Sequence, residues 1–140
     1  MKRLIIVFAL AMGILMACDK NNDEEEIVRG EIKDTSSQAE DLKFLSDLFI
    51  EISSISASVS CTNSEDWKLV AYGQKACGGP VGFMAYHQKI DENAFLSKVK
   101  FYTHQQDLYN IKWGIISDCT IPPEPSDIIC EDGLPVFLYH

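Results

Sequence analysis

The pattern of apolar and polar positions predicts a first amphipathic helix over residues 37 to 56. Apolar residues recur there at helical spacing, which is typical of a helix that buries one face. They are Leu42, Leu45, Leu48, Phe49, Ile52 and Ile55. Ser37 and Glu40 stand three residues apart, as the two partners of a capping box do. A run of serines from Ser53 weakens the end of the predicted helix.

A second helix is predicted from Glu92 to about Lys112. Asp91 is a favourable N-cap, and Gly114 is a natural helix stop. One face carries a largely aromatic stripe, for which core packing is favoured over ligand binding. Its members are Phe95, Val99, Tyr102, Gln106, Tyr109 and Trp113.

Short strands are predicted in two pairs. Residues 67–72 and 83–88 are rich in strand-favouring types and are separated by a glycine-rich connection. Residues 128–130 and 136–139 flank Asp132-Gly133, a hairpin-turn signal. Together with the helices, they predict an α+β fold in which a small antiparallel sheet packs against two helices, in a single domain of residues 37–140.

The amino-terminal segment has the pattern of a secretory signal peptide over residues 1–17. Lys2 and Arg3 precede an apolar run from Leu4 to Leu15. That run is shorter than the roughly 20 residues of a comfortable membrane-spanning helix. The segment is therefore expected to direct export and then to be removed.

The end of this leader, Leu15-Met16-Ala17-Cys18, resembles the lipobox of bacterial lipoproteins. The resemblance implies that the Cys18 thiol receives a diacylglycerol, that cleavage occurs just before it, and that acyl chains such as palmitate anchor the mature chain. Stable attachment needs two or more acyl chains, which lipoprotein processing supplies by the same resemblance. The alternatives are an ordinary cleaved signal peptide with a cysteine by chance, or an uncleaved anchor.

Residues 18–36 are predicted to be a flexible acidic tether, because they have few apolar groups to offset the entropy of ordering. Lys20 followed by the acidic run 23–26 is similar to the signal that sends Bacteroidota-type lipoproteins to the cell surface. A solvated linker is the alternative, and Asp19 would retain some bacterial lipoproteins in the inner membrane. The expected location is the cell envelope, lipid-anchored in the outer membrane, with exposure at the cell surface left open.

Charge excludes some partners. The formal net charge is −9, and loss of residues 1–17 leaves 10 basic and 21 acidic side chains, a net charge of −11. Such a chain repels phosphate backbones, which excludes nucleic acid, and anionic lipid surfaces. The expected partners are the membrane, through the lipid, and a protein or small molecule outside the cytoplasm. No metal or cofactor is predicted, since the acidic run lacks the pattern of a calcium loop.

Assigning Cys18 to the lipid leaves an even set of cysteines: Cys61, Cys77, Cys119 and Cys130. In an oxidising compartment they are expected to form two disulfides. No C-x-x-C spacing favours zinc or redox chemistry. Local pairing, with Cys61 to Cys77 and Cys119 to Cys130, closes the shortest loops, but a predicted strand separates the first two. The connectivity stays open among three possibilities.

Several spaced residues in the carboxyl-terminal part resemble a group of small exported Bacteroidota-type lipoproteins of uncharacterised function. They are Cys61, Trp67, Gly73, Ala76-Cys77-Gly78-Gly79-Pro80, Tyr86, Phe95, Tyr102, Asn110, Ser117-Asp118-Cys119 and Cys130. The resemblance covers residues 60–131 and implies compartment and fold rather than a reaction.

The leading functional hypothesis is a lipid-anchored envelope protein whose domain is a non-enzymatic binding module. Cys77-Gly78-Gly79-Pro80 is the candidate binding loop, because glycine permits close approach and proline stiffens the chain. One alternative is a protease inhibitor that uses residues 77–82. Another is a small extracellular hydrolase that uses His87 or His104, although no catalytic motif accompanies the three histidines, His140 included.

Overall fold

A computed structural model describes residues 31–139. Its elements, in chain order, are α1 (Gln38–Ser56), a 3₁₀ turn (Ser64–Asp66), β1 (Trp67–Tyr72), β2 (Gly82–His87), α2 (Glu92–Trp113), β3 (Asp127–Glu131) and β4 (Leu134–Leu138). The predicted α+β class is confirmed, with two helices, antiparallel strands and two disulfides. The predicted signal peptide, Cys18, most of the predicted tether and His140 lie outside the described residues.

The helices begin and end at the residues that the sequence marks. Ser37 and Glu40 form the predicted capping box at α1, and the hydrogen bonds from Ser37 hold the pKa of Glu40 below its usual value. At α2, the Asp91 carboxylate accepts from the backbone N–H of Ala94 at 3.0 Å. Gly114 ends this helix in the left-handed conformation, with φ 58°. Local capping chemistry therefore fixes the start of both helices and the end of α2.

The strands form two separate antiparallel hairpins, β1–β2 and β3–β4, where the sequence predicted one sheet. In the first hairpin, Trp67 pairs with His87 and Tyr72 pairs with Gly82. The second turns through Asp132 and Gly133, which both have positive φ, as a tight two-residue hairpin turn requires. The hairpins do not join edge to edge because β3–β4 packs over one face of β1–β2.

The β1–β2 hairpin therefore lies between two layers. One face carries Val70, Tyr72, Met84 and Tyr86, and it packs on the apolar faces of α1 and α2 around Phe95 and Ile52. The opposite face carries Trp67 and Ala85, which pack against Cys61, Ile128 and Phe137. Burial from both sides explains why β2 reads as a nearly continuous apolar run instead of an alternating one.

The last residues of the predicted tether contact the domain. The Ile32 backbone N–H donates to Gln105 Oε1 at 2.9 Å, and Ile32 packs against the main core. Lys112 donates to the Ser36 carbonyl at 2.8 Å. The packed segment thus begins before residue 37, the predicted domain boundary.

A buried ion pair fixes the start of α1 against the end of α2. Asp41 accepts from Lys112 Nζ at 2.7 Å and from Trp113 Nε1 at 2.9 Å. The Asp41 side chain is only 3% exposed. Burial alone would raise the pKa of Asp41, but hydrogen bonds from Lys112, Ser36 and Trp113 outweigh burial and lower it. None of the helices in the described part of the chain is both long and apolar enough to span a membrane.

Candidate functional site

The disulfides join Cys61 to Cys130 and Cys77 to Cys119. Local pairing, which the sequence left open, does not occur. Cys61 cannot reach Cys77, because strand β1 runs between them and Cys61 faces β3 in the second core. The Cys61–Cys130 bridge fastens the outer hairpin, whereas Cys77–Cys119 joins two surface loops.

The first of these loops, residues 73–81, is held on one face of α2. The Gly73 N–H donates to Thr103 Oγ1 at 2.9 Å, and the Gln74 N–H donates to Gln106 Oε1 at 2.9 Å. Asn110 Nδ2 donates to the Gln74 carbonyl at 2.7 Å. Because the three α2 residues follow one another at spacings of three and four, they share a face of the helix.

The tip of this loop is the predicted Cys77-Gly78-Gly79-Pro80 element. The Gly78 N–H donates to the Lys75 carbonyl, and the Lys75 N–H donates to the Gly79 carbonyl, both at 2.9 Å. Gly78 and Gly79 have φ of 93° and 81°, and a Cβ on either would touch nothing within 4 Å. The glycines are thus required by the turn and not by a lack of space. The tip is exposed but presents few side chains.

Lys75 connects this loop to the second surface loop, residues 114–126. Its ammonium donates to Asp118 Oδ1 at 2.8 Å and to the Thr120 carbonyl. The hydrogen bond from Lys75 holds the pKa of Asp118 below its usual value. With the Cys77–Cys119 bridge, these contacts make residues 73–81 and 114–126 one unit, called here the joined loops.

The second loop presents apolar side chains to solvent. Ile116 is 92% exposed and Ile121 is 72% exposed. Pro122, Pro123 and Pro125 follow, and each fixes its own φ. Pro125 is buried, and the Ser126 N–H donates to the Leu138 carbonyl at 2.9 Å, which ties the far end of the loop to β4. The exposed isoleucines therefore stand on a chain that is fixed on both sides.

An apolar groove lies between α1 and α2, beside the joined loops. Its volume is about 310 Å³, and Phe49, Tyr102 and Tyr109 are among its lining residues. Gln106 and Asn110, which hold the first loop, also line it. Leu42, a predicted member of the buried face of α1, lies at this groove and is 57% exposed.

The histidines do not gather at one place. The His87 side chain is 4% exposed, with Nε2 3.9 Å from an Asp66 oxygen. Its Nδ1 accepts from the Lys89 backbone N–H at 3.0 Å. His104 lies on the exposed surface of α2. Within residues 31–139, no group of three or more His, Cys, Asp or Glu side chains could hold a metal ion.

Sequence reasoning selected the Cys77–Pro80 tip but missed Lys75 and Ile121, which complete the joined loops. Lys75 is an ordinary polar residue in the sequence, and only the fold brings it to Asp118. Ile121 carried a usable signal, because a large apolar residue directly before two prolines cannot enter a helix and is seldom buried in a central strand. Comparison of the chain with protein-family models, curated proteins and solved structures finds no match.

Proposed function

We propose that this protein is a lipid-anchored component of the bacterial cell envelope whose α+β domain is a non-enzymatic binding module. Two features support the anchor. The leader ends in the lipobox pattern at Cys18. Each of the other four cysteines has a disulfide partner, which leaves Cys18 as the odd thiol.

The joined loops are the proposed binding surface. The observation that carries this is an apolar side chain, Ile121, at 72% exposure on a loop clamped by a disulfide, an ion pair and three prolines. Exposing an isoleucine forgoes about 1.5–3 kcal/mol of burial. A rigid loop also loses little entropy when it binds, so more of the contact energy appears as affinity.

The anchor is tested by expressing the chain with and without an inhibitor of signal peptidase II. We expect the unprocessed precursor to accumulate when the inhibitor is present. A Cys18→Ala variant should also stay uncleaved at this point, but without acyl mass, because it has no thiol to receive the diacylglycerol. Normal cleavage of the leader both in the presence of the inhibitor and in the Cys18→Ala variant would overturn the lipid anchor.

The binding surface is tested with a photo-cross-linking residue at position 121 in intact cells. The matched control carries the same residue at position 50, since Ile50 is also exposed, at 59%, but lies on α1. We expect a cross-linked species that forms from position 121, is absent from position 50, and weakens when Cys77 and Cys119 are both changed to alanine. Equal cross-linking from both positions would contradict the proposed surface.

The two alternatives find less support in the contacts of the described residues. The 77–80 tip uses its backbone in internal hydrogen bonds and offers glycine where an inhibitor needs a side chain. A hydrolase needs a histidine that can reach substrate, yet His87 is buried and both of its nitrogens face protein groups. Unchanged hydrolytic activity after His87→Ala and His104→Ala would remove the two histidine candidates.

A further inference from the structure

The segment 119–123 is an exposed part of the joined loops, in which only Pro122 is partly buried. Its start is fixed by the bridge from Cys119 to Cys77 and by the Lys75 ammonium on the Thr120 carbonyl. Its end leads into the buried Pro125. Between these points Ile121 extends into solvent with 72% of its surface exposed. The segment is thus exposed and fixed at both ends, so it is preorganised to enter a cleft.

The backbone of this segment is also available to a partner. Within residues 31–139, neither the N–H nor the carbonyl of Ile121 takes part in a hydrogen bond. Because Pro122 follows, Ile121 is restricted to extended backbone angles, and Pro123 restricts Pro122 in the same way. Residues 121–123 therefore resemble a short extended peptide on which the N–H and carbonyl of Ile121 are unused. They follow Cys119, which turns the chain with φ 54°, and Thr120, whose backbone groups bond to Asp118 and Lys75.

A cleft that fits these features binds an extended chain through its backbone and takes one apolar side chain into a pocket. This is how endopeptidases recognise substrates, with a pocket that selects the side chain. The charge around this segment also limits which clefts can bind it. Residues 114–126 contain two acidic residues, Asp118 and Glu124, and no lysine or arginine. Lys75 already pairs with Asp118, which leaves the Glu124 carboxylate, so a neutral or basic rim of the cleft is favoured.

We propose that residues 119–123 bind like a substrate strand in the cleft of an endopeptidase with an apolar specificity pocket, and that Ile121 occupies this pocket. The proposal rests on the binding function argued above and identifies its partner. It assigns inhibition to residues 119–123 instead of 77–82, and gives residues 73–81 the role of a clamp. Binding alone blocks the cleft, and no bond is made or broken.

The test uses the mature chain, residues 18–140, carrying Cys18→Ser so that it can be handled without lipid. It is titrated against elastase-, chymotrypsin- and subtilisin-type enzymes, with trypsin as the enzyme of opposite specificity. We expect competitive inhibition of at least one apolar-pocket enzyme at micromolar concentration and none of trypsin. Ile121→Ser should weaken this inhibition at least tenfold, whereas the matched Ile50→Ser on α1 should leave it unchanged.

Exchanging the side chain at position 121 for one that fits a different protease distinguishes recognition of that side chain from a merely structural effect of the substitution. Because the trypsin pocket carries a carboxylate, Ile121→Lys should create inhibition of trypsin and abolish inhibition of the apolar-pocket enzyme. No competitive inhibition across the panel, full inhibition by Ile121→Ser, or failure of the exchange would each overturn the proposal. If cross-linking from position 121 persists when inhibition is absent, the binding surface stands and only the protease assignment falls.

Discussion

Removing each disulfide in turn should cost more stability for the bridge that packs in the core, Cys61–Cys130, than for the surface bridge, Cys77–Cys119. The perturbations are Cys61→Ala with Cys130→Ala, and Cys77→Ala with Cys119→Ala. Cys61 is 3% exposed and packs against Trp67. Cys77 and Cys119 are both exposed and join the surface loops.

The lengths of the closed loops alone predict similar losses of stability. The bridges span 69 residues for Cys61–Cys130 and 42 residues for Cys77–Cys119. In the chain-entropy treatment these lengths correspond to about 4.4 and about 4.0 kcal/mol. Packing makes the difference, since deleting the buried sulfur atom of Cys61 leaves a cavity that costs about 1 kcal/mol more. We therefore expect losses of about 5 and about 4 kcal/mol.

The assay is urea unfolding of the mature chain with Cys18→Ser, followed by circular dichroism and by tryptophan fluorescence. The larger loss approaches the whole stability of a small domain, which starts at about 5 kcal/mol. The Cys61–Cys130 variant should thus be partly unfolded in buffer, with the combined emission of Trp67 and Trp113 shifted to longer wavelength. The Cys77–Cys119 variant should retain the native spectra. A greater loss from the exposed bridge than from the buried one would refute the layered arrangement.

Two further predictions concern single residues. Gly73→Ala should cost about 2–3 kcal/mol, because φ is 75° and the new Cβ would lie 2.9 Å from the Cβ of Val81 and 2.5 Å from Gln106 Oε1. Gly78→Ala meets no atom within 4 Å and should cost only about 1–2 kcal/mol, from its positive φ. Equal unfolding midpoints for the two variants would contradict this difference. Asp41→Asn should cost about 3–5 kcal/mol, because it leaves the Lys112 ammonium without its carboxylate. Since the folded pKa of Asp41 is lowered, its contribution is complete above the unfolded value, 3.8, and is lost as pH falls through the folded pKa. Urea midpoints measured from about pH 6 to about pH 2 should therefore fall less steeply for Asp41→Asn than for wild type. Parallel curves would show that protonation of Asp41 does not cause the loss of stability in acid.

Elements whose signals are local could be predicted from the sequence. The start of each helix and the end of α2 follow from caps at Ser37, Asp91 and Gly114, which act within four residues. The outer hairpin follows from Asp132-Gly133, because few other residue pairs accept two positive φ angles in succession. Strand β1 has the predicted limits, and β2 begins and ends one residue earlier than predicted.

Features that depend on distant partners could not be predicted. The number of disulfides follows from counting cysteines, but their pairing depends on the outer hairpin crossing the first hairpin. The same packing divides the expected single sheet into two. Asp41 reads as an ordinary acidic residue in the first turn of a helix, and its burial against Lys112 depends on how α1 and α2 meet.

In the candidate site too, the local turn could be predicted from the sequence, whereas its distant contacts could not. The composition of Cys77-Gly78-Gly79-Pro80 predicts a rigid exposed turn, and the positive φ angles at both glycines agree with it. The role of that turn as a clamp on the second loop depends on contacts across more than 40 residues, between Lys75 and Asp118 and between Cys77 and Cys119. The side chain that the clamp presents, Ile121, has a local signal in the prolines that follow it, but its place beside the clamp depends on the fold.

The most direct test of a lipid-anchored, disulfide-bonded envelope protein is the intact mass of the chain purified from the membranes of producing cells. The sample is alkylated without prior reduction, so that free thiols gain mass and bridged cysteines do not. The predicted result is a polypeptide that begins at Cys18, carries acyl mass there, and has no alkylation at its other four cysteines. A chain that begins elsewhere, lacks acyl mass, or takes up alkylating reagent would contradict the anchor or the disulfides on which the binding surface depends.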